Sequence, residues 1–345
     1  MGSSPVPAAP RGAPPGPPRL RVATYNVLVG GGGRWPQIQE LLRAVDADVV
    51  ALQETETEAP VRRLADELGY QLIFAEASSP RHQSVLVRWP LEGWSNHREA
   101  WFLRNTVEVR LVPPPGSVLD RIHLHTVHLP AAFQRRLRAE PERMRELATV
   151  RQHARRHPVV PHLVLGDFNS LAPGDRLRAT AFFAQINRWR RSGVLQETGA
   201  MGPVPPGLSR WRWWQDPDAL KEELPEAVRS GLPRLPWLLH PLMEVVPQGE
   251  VSDAVLGSLL PRAAIRSMLQ AGYADCLRQL HPRADGFTCP TYQPAVRIDY
   301  VFADPRMARR LVRCEVIGVS GELSGLARQA SDHFPLVAEF QLGSA

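Results

Sequence analysis

Lysine is all but missing from this chain of 345 residues: Lys221 stands alone beside 40 arginines. With 34 prolines and abundant alanine, that bias reads as GC-rich coding, so the net charge of +6 is discounted as a functional signal. It permits an anionic partner, nucleic acid or a phosphate ester, without requiring one. Cysteine is scarce too. Cys276, Cys289 and Cys314 have no paired spacing, which excludes a disulfide scaffold and the paired-cysteine zinc sites. They read as structural, in a reducing and therefore cytoplasmic compartment. There is no run of about 18 apolar residues, so a transmembrane helix is excluded. The amino terminus has no apolar stretch of the kind a secretory signal needs. At the sixth position Val6 replaces the Ser or Thr that myristoylation prefers.

What is present suffices for a sizeable core, since 43% of the residues are hydrophobic and 22% charged. Residues 1–18 hold seven prolines and three glycines without hydrophobic periodicity, and read as a tail outside the fold. Residues 19–345 read as one domain. Alternation in Leu20–Val27 and the apolar run Asp48–Gln53 predict strands. Further strands are expected near Gln71–Ala75, Ser84–Arg88, Thr106–Val112, Arg121–Val127, His162–Leu165, Arg297–Phe302, Arg313–Val319 and Leu336–Phe340. Helices are expected at Ile38–Val45, Val61–Leu68 and Phe133–His157. The last carries eight arginines against three glutamates between Gln134 and His157, the pattern of a solvated face. From 199 to 252 prolines, a Trp211-Arg212-Trp213-Trp214 cluster and an acidic patch from Asp216 to Glu226 mark an insertion or lid. Strands interleaved with helices predict a mixed α/β layered fold.

Carboxylates sit where apolar strands should exclude them. Glu54 follows Val49–Leu52, Asp167 follows Leu163–Leu165, and Asp299 precedes Tyr300–Phe302. Burying such a group costs several kcal/mol unless it is paired or ligates a metal. Three cases, accompanied by Asn26, Asp332, His128 and His333, point to one hard-cation site of oxygen ligands with an acid–base histidine. An Asp–His pair also serves serine hydrolases, but no Gly-x-Ser-x-Gly elbow accompanies this one. His123-x-His125-x-x-His128 has the spacing of the metallo-β-lactamase zinc motif, with Val127 where that motif carries an acid. His123 and His125 share one strand face, and a surface or supporting role is the plainer reading.

Tyr25-Asn26, Leu52-Gln53-Glu54, His128-Leu129, Gly166-Asp167-Phe168-Asn169, Ile298-Asp299-Tyr300 and Ser331-Asp332-His333-Phe334-Pro335-Leu336 resemble, in order, the motif set of the endonuclease/exonuclease/phosphatase superfamily. That superfamily includes DNase I-like nucleases, exonuclease III-like enzymes and inositol-phosphate phosphatases. The resemblance spans about Leu20 to Phe340. It implies a four-layer α/β fold, a two-sheet β-sandwich flanked by helices, with the site at one rim. It also implies Glu54 as principal Mg²⁺ ligand (Mn²⁺ as a substitute), assisted by Asn26 and Asp332. His333 becomes the general base or phosphate-facing histidine, oriented by Asp299. Asp167 and Asn169 orient water and hold phosphate, and His128 meets the phosphate or the leaving oxygen. One firm carboxylate suits Mg²⁺, which keeps several waters.

The site implies phosphoester hydrolysis without naming the ester. Gly272-Tyr273-Ala274-Asp275, Phe287–Tyr292 and Arg297-Ile298-Asp299 resemble exonuclease III-like members, which favours a phosphodiester, with nucleic acid as the leading substrate. No Tyr-x-Pro-Asn-Gly pattern precedes His128, which stands where abasic-site repair enzymes use tyrosine. A small-molecule or lipid-headgroup phosphatase, with the insertion as lid, is one alternative; a non-catalytic scaffold of the same fold is another. The Trp211–Trp214 cluster could stack bases or pack the insertion on the core. Arg104 and Arg297 read as surface cations, and the protein as a monomer.

Overall fold

The computed structural model describes residues 17–131, 135, 138–192, 225–231 and 246–343. Most of the Pro/Gly-rich tail, the Trp211–Trp214 cluster and most of the 199–252 insertion lie outside the described residues. Among the described residues, twelve strands form two six-stranded sheets: β1 Arg19–Asn26, β2 Val49–Thr55, β3 Gln71–Ala75, β4 His82–Val87, β5 Leu91–His97, β6 Thr106–Leu111, β7 Ile122–His128, β8 His162–Asp167, β9 Ala274–Asp275, β10 Asp299–Ala303, β11 Leu311–Val316 and β12 Leu336–Gln341. The first sheet runs β11-β12-β1-β2-β4-β3 and the second β5-β6-β7-β8-β10-β9.

Both faces of the central strands are covered, which is why they read as unbroken apolar runs. In β1 and β2, Val22, Val49 and Ala51 point between the sheets and meet Leu124, Leu163 and Val301 from the other side. Ala23, Tyr25, Val50 and Leu52 point outward against Ile38, Leu41, Leu42 and Val61 of the helices Trp35–Val45 and Glu58–Leu68. Outside the second sheet, Val127, Val164, Tyr300 and Phe302 pack against Leu147, Val150, Ile265 and Met268. Those residues belong to the helices Ala139–Ala154 and Ala263–Gln270. The result is the expected order of layers, helix, sheet, sheet, helix.

Each sheet has one parallel pair at its centre, β1 with β2 and β7 with β8. Their outer neighbours run antiparallel, β12 beside β1 and β10 beside β8. This topology places the site. The carboxyl ends of β1, β2, β7 and β8 and the amino ends of β10 and β12 all reach the same rim. At that rim Gly166 pairs with Val127, and a Cβ there would lie 1.9 Å from the Val127 carbonyl oxygen. Only glycine lets β8 approach β7 so closely.

Two expectations need correction. The helix expected over Phe133–His157 spans Ala139–Ala154, and residues 132–134 and 136–137 lie outside the described set. Nor is it simply a solvated face: Arg143, Glu146, Val150 and His153 are buried against the sheet. The helix Glu226–Gly231, from the insertion, reaches the glycine turn after β1, where Gly33 N donates to Glu226 Oε1 at 3.4 Å.

Candidate active site

Strand ends deliver the expected residues one by one. Asn26 closes β1, His128 closes β7 and Asp167 closes β8, while Asp299 opens β10 directly opposite Asp167 in register. Glu54 sits at an irregularity in the β2–β4 pairing between Gln53 and Thr55. Its backbone is left-handed, φ +63°, as is that of Asn169, φ +48°. Non-glycine residues hold such conformations only where the surroundings impose them, commonly at functional sites.

Hydrogen bonds knit these side chains together. Asn26 Nδ2 donates to Glu54 Oε1 at 3.3 Å and to Asp167 Oδ2 at 3.2 Å, while its Oδ1 accepts from Leu28 N at 2.9 Å. Glu54 Oε2 accepts from Val29 N at 2.9 Å and from Arg81 Nη1 at 3.0 Å. His128 Nε2 lies 3.5 Å from Asp167 and 3.7 Å from Glu54. Asn169 donates to Asp167 through its backbone N at 2.8 Å and through Nδ2 at 3.0 Å. Asp299 and His333 are closely paired, with Oδ2 and Nδ1 2.8 Å apart. Asp332 is at 3.9 Å from His333 Nε2, and Ser331 Oγ ties this turn to the Asn26 carbonyl at 2.7 Å. Ligand atoms of Asp167, Asp299 and His333 all lie within 4.8 Å of one another. All eight expected residues therefore share one rim.

The electrostatics follow from crowding acids in a dry place. Burial, then the neighbouring Asp299, push Asp167 up to about 7. Burial also raises Asp332. For His333 burial favours the neutral ring, but Asp299, Cys289 and Asp332 outweigh it and hold the imidazole well above its ordinary range. His128 moves the opposite way: burial, Arg104 and His333 keep it neutral. Asp299 Oδ1 is buried with no hydrogen-bond partner. A rim of oxygen donors with one carboxylate oxygen left unsatisfied is the donor set a hard divalent cation takes.

Several supporting residues escaped the sequence reading. Arg104 is no surface cation: it is buried and donates to the carbonyls of His128 and Leu129 at 3.3 and 3.0 Å. Arg297 is wholly buried, bonded to Asp175 at 2.9 Å and Asp275 at 2.7 Å, with its guanidinium 4.4 Å from the Tyr300 ring centre. It anchors the chain two residues before Asp299. The available signal was its place next to an apolar strand. Cys289 does have a histidine neighbour, since it gathers with Asp332 and His333, while Cys276 and Cys314 pack in the core between the sheets. Arg81, which pairs with Glu54, carried no sequence signal. The three-histidine zinc spacing is split by the strand: His128 turns to the rim beside Asp167 and Glu54, and His123 and His125 lie on the other face with Val127.

Comparison with known proteins extends this picture. The structure resembles that of a 3′ phosphatase, NExo, from Neisseria, described bound to product DNA hairpin. The TM-score is 0.55 at 17% identity, over 93% of this chain and 99% of that one. An AP endonuclease from Archaeoglobus fulgidus matches with TM-score 0.53 and 16% identity over 93% and 99% of the two chains. An endonuclease/exonuclease/phosphatase from Beutenbergia cavernae matches with TM-score 0.54 and 21% identity, over 95% of this chain and 72% of that one. At these identities the likeness establishes the fold, the DNase I-like pair of sheets. No curated protein matches. The sequence pattern of the Endonuclease/Exonuclease/phosphatase family matches residues 23–333, a span that begins just before Asn26 and ends on His333. The chain belongs to the endonuclease/exonuclease/phosphatase family.

Proposed function

We propose that this protein is a Mg²⁺-dependent phosphodiester hydrolase, with nucleic acid as the leading substrate class. The observation that carries the reading is the buried Asp299–His333 pair at 2.8 Å, set within reach of Asp167 on a rim lined by Glu54 and Asn26. Such a pair and acid cluster are costly to bury and are suited to proton transfer.

Glu54, with Asn26 and Asp332, would hold the cation. When bound, a divalent ion neutralises phosphate charge and lowers the pKa of water. The remaining work falls to side chains. Asp299 fixes the His333 ring through Nδ1, leaving Nε2 to face the phosphate. Held protonated by its carboxylate neighbours, His333 donates to a phosphate oxygen and carries the acid–base proton. Asp167, with its pKa near neutrality, accepts the proton of the attacking water, and Asn169 fixes that carboxylate through two hydrogen bonds. His128, neutral and buried, supports the leaving oxygen. NExo, described with product DNA, supports the nucleic-acid form of this reading. Arginine on the Ala139–Ala154 helix would meet a polymer's backbone.

The test is hydrolysis by wild type and His333→Ala, with and without EDTA, on an aryl phosphodiester and on single- and double-stranded DNA. EDTA-sensitive DNA cleavage, lowered at least about 10²-fold in the variant, is expected. Cleavage of the aryl ester alone moves the substrate to small-molecule or lipid esters. A folded His333→Ala protein with unchanged turnover sinks the mechanism.

A further inference from the structure

Six of the chain's eleven histidines, His97, His123, His125, His153, His157 and His162, gather on the outer face of the second sheet, away from the phosphoester site. At their centre is Glu108 of β6, 7% exposed. One oxygen, Oε2, lies 3.2 Å from His97 Nε2; the other, Oε1, lies 3.4 Å from His123 Nδ1. The His157 ring stands edge-on to His123 with centroids 5.0 Å apart. Ligand atoms of Glu108, His123 and His157 all fall within 4.8 Å of one another.

We propose that Glu108, His123 and His157 form a second metal site, for a Zn²⁺-class ion, independent of the phosphoesterase reading. Two imidazoles and one carboxylate are the donor set of open zinc sites, in which a fourth position faces solvent. Here His157 is exposed and supplies that opening. Donors about 2.0–2.2 Å from one zinc stand closer to each other than 4.8 Å, and the exposed His157 ring is the one free to close the gap. His97, on the carboxylate's other oxygen, orients it from outside the ligand set. Arg110 Nη1 faces the same carboxylate at 3.7 Å, its closer contact being the hydrogen bond it donates to Ser95 Oγ at 3.1 Å. The site would clasp β6, β7 and the turn that follows the Ala139–Ala154 helix. It is distinct from the catalytic rim: His123 and His128 lie on opposite faces of β7, roughly 16 Å apart along the strand.

The test equilibrates the full-length protein with Zn²⁺ and measures retained zinc by mass spectrometry after gel filtration. It compares wild type, His157→Gln and His333→Ala. His157→Gln changes an exposed side chain, so its fold is kept. The expected result is one zinc equivalent lost in His157→Gln and kept in His333→Ala, with Mg²⁺-dependent hydrolysis by His157→Gln unchanged. His97→Gln should weaken the same equivalent about 10–100-fold. Zinc retention equal in wild type and His157→Gln, or retention lost only in His333→Ala, overturns the proposal, as does a wild-type protein that retains none.

Discussion

At the scale of single residues, the site is built from groups that would each be unstable alone. Glu54 is held in a left-handed backbone and pointed at Asn26, Val29 N and Arg81. Glu54→Gln keeps its shape and removes its charge. The expected outcome is a higher Mg²⁺ concentration for half-maximal hydrolysis, with activity partly restored by excess Mg²⁺ or Mn²⁺. A titration superimposable on that of wild type would remove Glu54 from the cation's ligands. The eight expected residues stood out in the sequence because a polar side chain at the end of an apolar strand breaks a regular pattern, and the structure gathers them at one rim. Arg104 and Arg297 were not, because 40 arginines hide the few that are buried. Arg81 gave no warning of any kind, since its role depends only on where the loop before β4 comes to rest.

At the scale of elements, the strand that carries Asp299 is anchored by charge as well as packing. Arg297 is shared between Asp175 and Asp275, and Arg278 adds a second bond to Asp175 at 2.9 Å. Arg297→Met leaves Asp275 buried without its cation, and removing one member of such a cluster costs about 3–5 kcal/mol. Urea unfolding should show that loss, and the double variant Arg297→Met/Asp275→Asn should recover part of it. A loss below about 1 kcal/mol would mean the cluster is solvated. Most strands were readable from apolar runs and alternation, but β5, only half-buried, and the two-residue β9 were not. The histidine-rich face was not, because His97, His123 and His157 come from a strand, a second strand and a turn. Only tertiary packing brings them to Glu108.

For the whole molecule, acidity is stored at the rim and beneath the helix. Asp167 and Glu146 are both raised to about 7, chiefly by burial. Raised carboxyls bind protons in the folded state that the unfolded chain has released, so their stabilisation is lost as pH rises through about 7. Glu108, lowered to about 2, works in the other direction and only under acid conditions. Buried histidines held below their ordinary range, His123, His125, His128 and His153, act with the opposite sign over the same interval, so the carboxyls' share is read by difference. Chelator-treated Asp167→Asn/Glu146→Gln protein should lose less stability than wild type, or gain more, between about pH 4.5 and 7. Equal pH slopes in the two proteins over that interval would contradict these assignments. The layered fold was legible as a whole because its strands are buried on both faces. The insertion was legible only as a change of composition.

The position of β12 has a consequence for how the chain is wound. The second sheet is continuous in sequence from β5 to β10, while the first joins β1–β4 to β11 and β12. Arg19 and Gln341 are partners in the β1–β12 pairing. In topological terms the folded chain is a ring left open at one point. The first sheet cannot close, and His333 cannot meet Asp299, until the chain has been made through β12. The opening can be moved. A circular permutant that joins residue 341 to residue 19 by a short linker and begins at Ser117, in the exposed loop between β6 and β7, should fold and keep its hydrolytic activity. An inactive but folded permutant would show that the order in which the two sheets are synthesised matters as much as their final pairing.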